Sequence, residues 1–383
     1  MLSFDFHPRT RIIFGPDKVD ALGDLAGELG ARRALVVTDP GVVKAGHAER
    51  GLAALRRAGI DTRLFSDVYE NPTTDHVEAG LSIAKVLEPE LIVGLGGGSA
   101  MDCAKGINFL YSNGGKMQDY AGVGKAIRPM VPMIAVPTTA GTGSETQSFA
   151  LISDAKTHIK MACGDKKASF RVALLDPKLT VTQPRRVTAL TGIDAIAHAI
   201  ETYVTKARNP ASLAFSREAW RLLGGNFARV LDHPNDLTAR AGMQLGACFA
   251  GMAIENSMLG AAHALANPLT ATYEIPHGMA ISLMLPHVIR FNAETVADWY
   301  NDLVDDTGGI EGFPAPEDGA EGLARFVADL SRKAGLKEHL SDCGVTLESL
   351  DDMATLAATQ WTGTFNPRHV TAVELLEIYR RAL

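Results

Sequence analysis

The segment that decides the fold spans residues 91–105 and reads LIVGLGGGSAMDCAK. Its apolar start predicts a buried strand, and its end, from Ala100 onward, has the composition of a helix. The glycines between them let the backbone approach a ligand closely, and the N–H groups that open the helix can bind a pyrophosphate. The segment therefore predicts a strand, a phosphate-binding loop and a helix, as in a dinucleotide-binding α/β domain.

The glycine pattern differs from the usual dinucleotide fingerprint. The spacing Gly94-x-Gly96-x-x-Ser99 lacks the last glycine, and the acidic candidate for the ribose, Asp39, precedes the loop instead of following it. Taken alone, the segment also fits an ordinary tight connection between a strand and a helix. A second polar turn, residues 138–145 with the sequence TTAGTGSE, follows another apolar strand. Two such loops at strand ends favour a nucleotide more strongly than one.

The composition of the chain changes near Pro184. Before it, apolar strands such as residues 34–38 alternate with helical stretches such as residues 77–87, which predicts a parallel sheet covered by helices. Beyond it, Ala, Leu, Met and charged residues recur at helical spacing. The sequence therefore predicts a Rossmann-like α/β domain over residues 1–184 and an all-helical domain over residues 185–383.

Four residues in the second half have the identity and spacing of a mononuclear metal site. Asp194 and His198 lie four apart in an Ala-rich helical stretch, so they share a face. His263 lies in another helix of small residues, and His277 follows Pro276, which marks a helix start or a tight turn. Three imidazoles and one carboxylate suit Fe(II) or Zn(II), and the absence of thiolates argues against a closed structural zinc site.

An alternative interpretation is that these histidines are unrelated, because the chain has eleven of them. Polar pairs four residues apart are common on helices, so their spacing alone does not decide the question. The glycine loop upstream is the independent observation that favours a metal-dependent enzyme.

Four motifs in order resemble the iron-containing (group III) alcohol dehydrogenases. They are Gly96-Gly97-Gly98-Ser99-x-x-Asp102-x-Ala104-Lys105, Pro137-Thr138-Thr139-x-Gly141-Thr142-Gly143-Ser144-Glu145, Gly192-x-Asp194-Ala195-x-x-His198-x-x-Glu201, and His263-Ala264-Leu265 with Pro276-His277-Gly278. The resemblance runs from about residue 5 to the C-terminus. It implies hydride transfer between NAD(H) and a small primary alcohol or its aldehyde, with Fe(II), or Zn(II) as the alternative, bound by the four residues named above.

The resemblance also implies which residues line the dinucleotide. They are Asp39, Asn71, Gly97, Gly98, Ser99, Asp102, Thr138, Thr139, Phe149, Lys160 and Leu179. Asp39 would face the adenosine ribose and favour NAD over NADP. We expect the active site in a cleft between the two domains, where a metal would polarise the substrate oxygen and hydride would pass to the nicotinamide.

This chain departs from the family pattern at three positions. Relatives often carry a histidine four residues after the ligand that aligns with His263, and this chain has Asn267 there. Gln147 and Thr182 stand where the resemblance leads us to expect a hydroxyl and a glycine near the cofactor. The route of the proton and the polarity of the pocket are therefore open at this stage.

Two other classes share parts of this pattern. A lyase of the dehydroquinate-synthase type has the same general architecture and uses NAD transiently, but the two histidine motifs and the acidic ligand Asp194 resemble the alcohol dehydrogenases instead. A non-catalytic binding protein that has kept the fold is disfavoured because all four ligands are present.

Composition narrows the class of partner. The net charge is −7 from 37 basic and 44 acidic residues, without a basic cluster, which argues against nucleic acid. No apolar run approaches the roughly 20 residues that span a bilayer, and the start of the chain lacks signal-peptide character. The four cysteines form no CxxC pair. We therefore expect a cytoplasmic enzyme without a membrane or nucleic-acid partner. Apart from these features, we expect a homo-oligomer, a dimer or larger.

Overall fold

A computed structural model of the chain describes residues 3–157, 159–307, 313 and 315–383. The chain divides into two compact units, His7–Gln183 and a second unit that joins residues 3–6 to Pro184–Leu383. The division falls one residue before the 184/185 boundary expected from the sequence. Residues 3–6 belong to the helical unit, where the ring of Phe6 packs against Phe215 with centroids 5.8 Å apart.

The strands of the described residues all lie in the first unit. They are β1 (Arg11–Phe14), β2 (Arg33–Val37), β3 (Asp61–Phe65), β4 (Leu91–Gly96), β5 (Gly122–Val123), β6 (Met133–Pro137), β7 (Phe149–Ser153), β8 (Lys160–Gly164) and β9 (Val172–Leu175). Six of them form one sheet in the order β1-β9-β6-β4-β2-β3, with every pair parallel. The predicted parallel sheet is confirmed.

The α-helices of the described residues divide between the two units. They are α1 (Leu22–Glu28), α2 (Pro40–Lys44), α3 (His47–Arg57), α4 (Thr74–Leu87), α5 (Gly98–Asn113), α6 (Arg185–Val204), α7 (Pro210–Asp232), α8 (Leu237–Asn256), α9 (Ala261–Tyr273), α10 (His277–Asp305), α11 (Gly319–Lys333), α12 (Leu350–Ala358) and α13 (Ala372–Ala382). The first five belong to the α/β unit and the rest to the helical unit. No helix in the described part of the chain is both long and apolar enough to cross a membrane.

The order of the strands reverses between β2 and β4. The chain moves outward from β2 to β3 and then returns to the other side of β2 to form β4. Val37 at the end of β2 pairs with Gly94 of β4, so Asp39 and the glycine loop leave the sheet side by side. In open parallel sheets, ligands bind outside the carboxyl ends of the strands at this kind of reversal.

A small second sheet was not predicted from the sequence. In it β5 pairs with β8 in parallel and β8 pairs with β7 in antiparallel orientation. A side chain at Gly164 would meet the ring of Phe149, because an ideal Cβ there would lie 2.4 Å from a ring carbon. The absence of a side chain at Gly164 therefore leaves room for the Phe149 ring on the neighbouring strand.

The helical unit packs closely around α6. Every residue of α6 from Gly192 to Val204 is buried, and its many alanines leave room for neighbouring helices. A Cβ at Gly278 would lie 2.1 Å from the backbone oxygen of Leu190, so the first turn of α10 presses directly on α6. This contact brings His277, the first residue of α10, close to the middle of α6. Within the described residues this unit contains helices and no strand, as the sequence predicts.

Candidate active site

Three helices of the second unit bring the predicted metal ligands together. Asp194 and His198 lie one turn apart on α6, His263 lies near the start of α9, and His277 opens α10. The Oδ1 atom of Asp194 is 3.4 Å from Nε2 of His198, 3.4 Å from Nε2 of His263 and 3.6 Å from Nε2 of His277. Three imidazole nitrogens therefore face one carboxylate oxygen.

These distances suit a tetrahedral metal site. With bonds of about 2.1 Å from a metal to its nitrogen and oxygen ligands, neighbouring ligand atoms lie about 3.4 Å apart. The group in which every ligand atom lies within 4.8 Å of every other comprises Asp194, His263 and His277. His198 lies beside this group and stacks on the ring of His263, with centroids 4.9 Å apart and planes inclined by 23°.

Two atoms of the cluster show that a ligand would be favourable there. Oδ1 of Asp194 and Nε2 of His263 are both buried and have no hydrogen-bond partner. A buried donor or acceptor without a hydrogen-bond partner costs about 1–3 kcal/mol, and more when it is charged. A divalent cation bound between these atoms would satisfy both, so the residues present fit a resident metal.

Glu201 supports the cluster through hydrogen bonds to the start of α9. It lies on α6, seven residues after Asp194, and one of its carboxylate oxygens accepts a hydrogen bond from Nδ1 of His263. Its other oxygen accepts from the backbone N–H of Ala262 at 2.7 Å. When His263 is neutral and its Nδ1 proton is donated to Glu201, the lone pair of Nε2 faces Asp194. A carboxylate that orients a ligating histidine in this way is a common support of metal sites.

The charges in the cluster are strongly coupled. Burial opposes ionisation of Asp194, but His198, followed by His263 and His277, outweighs burial and holds the pKa of this carboxyl well below its usual range. Burial also disfavours the charged form of His263, yet Glu201 and Asp194 raise its pKa to about 9. Asp194 is thus an anion at neutral pH, and a metal bound at Nε2 would displace a proton from His263.

The proposed ribose ligand lies beside the glycine loop. Asp39 precedes α2, and its Oδ1 accepts a hydrogen bond from the backbone N–H of Val42 at 3.0 Å. Its Oδ2 lies 3.2 Å from the position that a Cβ would occupy at Gly96. The fold therefore joins two features of the sequence that are separated by more than fifty residues.

The two polar loops predicted from the sequence are neighbours in space. A Cβ at Gly97 would lie 3.3 Å from the side chain of Thr139, and one at Gly98 would lie 2.7 Å from the side chain of Thr142. The backbone N–H of Thr138 donates to the oxygen of Gly96 at 2.9 Å. No side chain caps the N-terminus of α5, so its first N–H groups can bind an anion such as a pyrophosphate.

The remaining predicted cofactor residues occupy four places in the α/β unit. Nζ of Lys160, on β8, donates to Oδ1 of Asn71 at 3.2 Å. Ser99 and Asp102 lie in the first turns of α5, and Phe149 begins β7. Leu179 lies apart from these, on a short turn after β9, and is only 1% exposed.

The three residues that depart from the family pattern each have a hydrogen-bond partner. Nδ2 of Asn267 donates to Oε1 of Gln360 at 3.0 Å, and α9 continues past Asn267 through Pro268 to Tyr273. Nε2 of Gln147 donates to the backbone oxygen of Thr142 at 2.7 Å. The hydroxyl of Thr182 lies 2.7 Å from Nε2 of His47.

Comparison with known proteins agrees with this geometry. The family model described as "Iron-containing alcohol dehydrogenase" matches residues 8–177. The model described as "Fe-containing alcohol dehydrogenase family, C-terminal" matches residues 188–383. The chain belongs to the iron-containing alcohol dehydrogenase family. The resemblance noted from the four motifs is confirmed.

Individual relatives match over nearly their whole length. The 1,3-propanediol dehydrogenase of Citrobacter freundii is 35% identical, over 99% of this chain and 98% of the relative. The NAD-dependent methanol dehydrogenase of Bacillus methanolicus is 33% identical, over 100% of both chains. A solved structure of 1,3-propanediol oxidoreductase has a TM-score of 0.95 and 34% identity, with 100% of both chains covered. The predicted fold class and the class of enzyme, an oxidoreductase of the alcohol dehydrogenase type, are confirmed, and none of these three relatives is a lyase.

Glu201 is a supporting residue of the cluster that is not among the residues predicted from the sequence. Its spacing was nevertheless informative, because a residue seven after Asp194 and three after His198 lies on the same helix face as both. A third acidic or basic group on a face that already carries two candidate ligands is a signal for a supporting residue.

Proposed function

We propose that this protein transfers a hydride between NAD(H) and a small primary alcohol or its aldehyde, at a mononuclear metal held by Asp194, His198, His263 and His277. The observation that carries the proposal is the convergence of three Nε2 atoms on one buried carboxylate oxygen that has no hydrogen-bond partner. When bound, the metal supplies Lewis-acid polarisation of the substrate oxygen. We propose Fe(II) as this metal, with Zn(II) as the alternative.

The residues of the cluster have different tasks. Asp194 contributes the negative charge, and Glu201 fixes the orientation of His263 through its Nδ1 proton. The side chain of His277 is 30% exposed, whereas that of Asp194 is 8% exposed and that of His263 is 5% exposed. The exposed edge of the cluster is therefore at His277, and we place the approach of the substrate on that side.

We propose that the dinucleotide binds at the strand-order reversal of the α/β unit. Asp39 would accept hydrogen bonds from the ribose hydroxyls, and the uncapped N-terminus of α5 would bind the pyrophosphate. The full proposed set is Asp39, Asn71, Gly97, Gly98, Ser99, Asp102, Thr138, Thr139, Phe149, Lys160 and Leu179. The carboxylate of Asp39 would repel the 2′-phosphate of NADP, so NAD is the proposed cofactor.

The substrate class is inferred from the relatives. Their names specify 1,3-propanediol and methanol, which are small primary alcohols. Two further properties remain proposals, a homo-oligomeric state and a cytoplasmic location. The second is supported by Cys103, Cys163 and Cys343, which form no disulfide bond.

A substrate panel with defined metals tests the proposal. Chelator-stripped protein would be reloaded with Fe(II) or Zn(II), and oxidation of NADH by short aldehydes would be measured beside reduction of NAD by the matching alcohols. We expect turnover only after reloading. The variant His263→Ala should bind little metal and lose nearly all turnover, whereas His339→Ala, which removes an exposed histidine of the same unit, should retain both. Full activity after exhaustive chelation would refute the metal-dependent function.

A further inference from the structure

Lys105 is a fully buried cation of the α/β unit, and its side chain is 0% exposed. Its Nζ donates to the backbone oxygen of Ser144 at 2.8 Å, to Oγ of Ser144 at 3.1 Å and to the backbone oxygen of Phe149 at 2.7 Å. An ammonium group has three N–H donors, so these acceptors match its capacity. Oδ1 of Asp102 lies 3.6 Å away and provides a compensating negative charge.

These contacts join helix α5 to the segment that follows the second polar loop. Ser144 lies near the end of that loop, and Phe149 begins β7, so Lys105 contacts both ends of residues 144–149. Asp102, one turn before Lys105 on α5, accepts a hydrogen bond from the hydroxyl of Ser144 and another from the backbone N–H of Leu151 at 3.3 Å. Helix and segment are thus connected at several points.

The connection extends to the glycine loop. The backbone N–H of Ser144 donates to Oγ1 of Thr142 at 3.3 Å. The side chain of Thr142 in turn fills the space beside Gly98, where a Cβ would lie 2.7 Å from it. Ser144 is therefore connected through Thr142 to the start of α5.

Burial of an ammonium group is costly unless it is paired and hydrogen-bonded. A side chain without exposed surface does not reach a bound dinucleotide, so the contribution of Lys105 must pass through the residues that it holds. We propose that Lys105 is a positioning residue for the dinucleotide, whose ammonium group aligns the two phosphate-side loops and Phe149. This inference rests on the proposed NAD site.

The test compares two buried cations in the metal-loaded, full-length protein. Lys105→Met removes the ammonium group with little change in the length of the side chain. Arg240→Met is the matched control, because Arg240 is 2% exposed and holds Pro234 and Thr188 by hydrogen bonds of 2.9 and 3.0 Å in the helical unit. The dissociation constant of NAD, the metal content and amide hydrogen exchange over residues 142–151 are measured for each.

Because hydrogen bonds to a charged group are strong, we expect Lys105→Met to raise the dissociation constant of NAD about tenfold or more. Exchange over residues 142–151 should become faster, and metal content should stay unchanged. Arg240→Met should lower the melting temperature and leave NAD affinity unchanged. If Lys105→Met does not fold, Lys105→Gln, which keeps two N–H donors without the charge, is compared in the same way, with a smaller rise expected.

Two results would count against the inference, and they can be distinguished from each other because only the second also contradicts the proposed function. A folded Lys105 variant with unchanged NAD affinity and unchanged exchange would show that the lysine only stabilises the fold. Failure of the unmodified protein to bind NAD would overturn the proposed function together with this role. Lower stability of Lys105→Met with unaltered NAD affinity belongs to the first result.

Discussion

Asp194 is the residue on which the proposed metal site depends, because its Oδ1 faces the Nε2 atoms of all three histidines. This Oδ1 atom is buried and has no hydrogen-bond partner. A carboxylate in this position is stabilised by the surrounding imidazoles when no metal is present and by a cation when one is bound. The same residue thus serves both states of the site.

Asp39 allows a prediction about cofactor choice. The variant Asp39→Gly should narrow the preference for NAD over NADP, because the carboxylate that repels the 2′-phosphate is removed. The ratio of kcat/KM for the two cofactors measures this. Asp39 also accepts a hydrogen bond from the N–H of Val42 and so caps the N-terminus of α2. Asp39→Asn keeps an acceptor oxygen without the charge. Comparing the two variants therefore separates the effect of losing this cap from the effect of losing the charge. An unchanged ratio in both variants would mean that Asp39 has only its structural role.

Asn267 allows a prediction about proton transfer. It lies one turn after His263 on a helix that continues past it, and it donates to Gln360. Asn267→His should keep the metal and add a titration near the imidazole pKa of about 6.5 to the pH profile of alcohol oxidation. Asn267→Gln is the control, because an amide does not titrate there. A profile that superimposes on that of the unmodified enzyme would show that position 267 has no part in the proton path.

At the scale of elements, the close approach of α10 to α6 positions His277, one of the four proposed ligands. Gly278 permits this approach because it has no side chain, and the atom that a Cβ would meet is a backbone oxygen, which cannot rotate away. The contact therefore sets the distance between the helix that carries Asp194 and the helix that begins with His277. We refer to this as the spacer role of Gly278.

Gly278→Ala should accordingly damage the site. The added methyl group must push α10 away from α6, and overpacking of this kind costs about 1–3 kcal/mol. We expect a lower melting temperature and reduced metal content by elemental analysis. Gly225→Ala is the matched control, since Gly225 lies in α7 and a Cβ there would meet nothing within 4 Å. Equal metal content and equal melting temperature for Gly278→Ala and the unmodified protein would contradict the proposed spacer role.

At the scale of the whole molecule, a metal would link three helices that are distant in sequence. Because the folded state holds the four proposed ligands together and the unfolded state does not, metal binding should stabilise the fold by about 2.7 kcal/mol when the free metal concentration is one hundred times the dissociation constant. Calorimetry with and without Fe(II) or Zn(II) should show a higher melting temperature with metal. His263→Ala should show little of this increase, and an equal increase in that variant would place the stabilising metal elsewhere.

The sequence determined the features that depend on local order along the chain. Residues 91–105 specified β4, the glycine loop and α5. The change in residue pattern near Pro184 specified an α/β part followed by a helical part. The spacing of Asp194 and His198 placed both on one face of α6. Periodicity and residue identity are sufficient for such predictions, because a helix or a strand repeats over neighbouring residues.

Only the tertiary structure decided which side chains meet. The pairing of Glu201 with His263 joins residues 62 apart, and the bonds from Lys105 to Ser144 and Phe149 join α5 to a segment about forty residues away. The small sheet of β5, β7 and β8 also depends on such pairings. They follow from the close packing of helices and strands, as where Gly278 meets Leu190. Packing depends on the shapes of surfaces that are far apart in the chain, which local patterns do not encode.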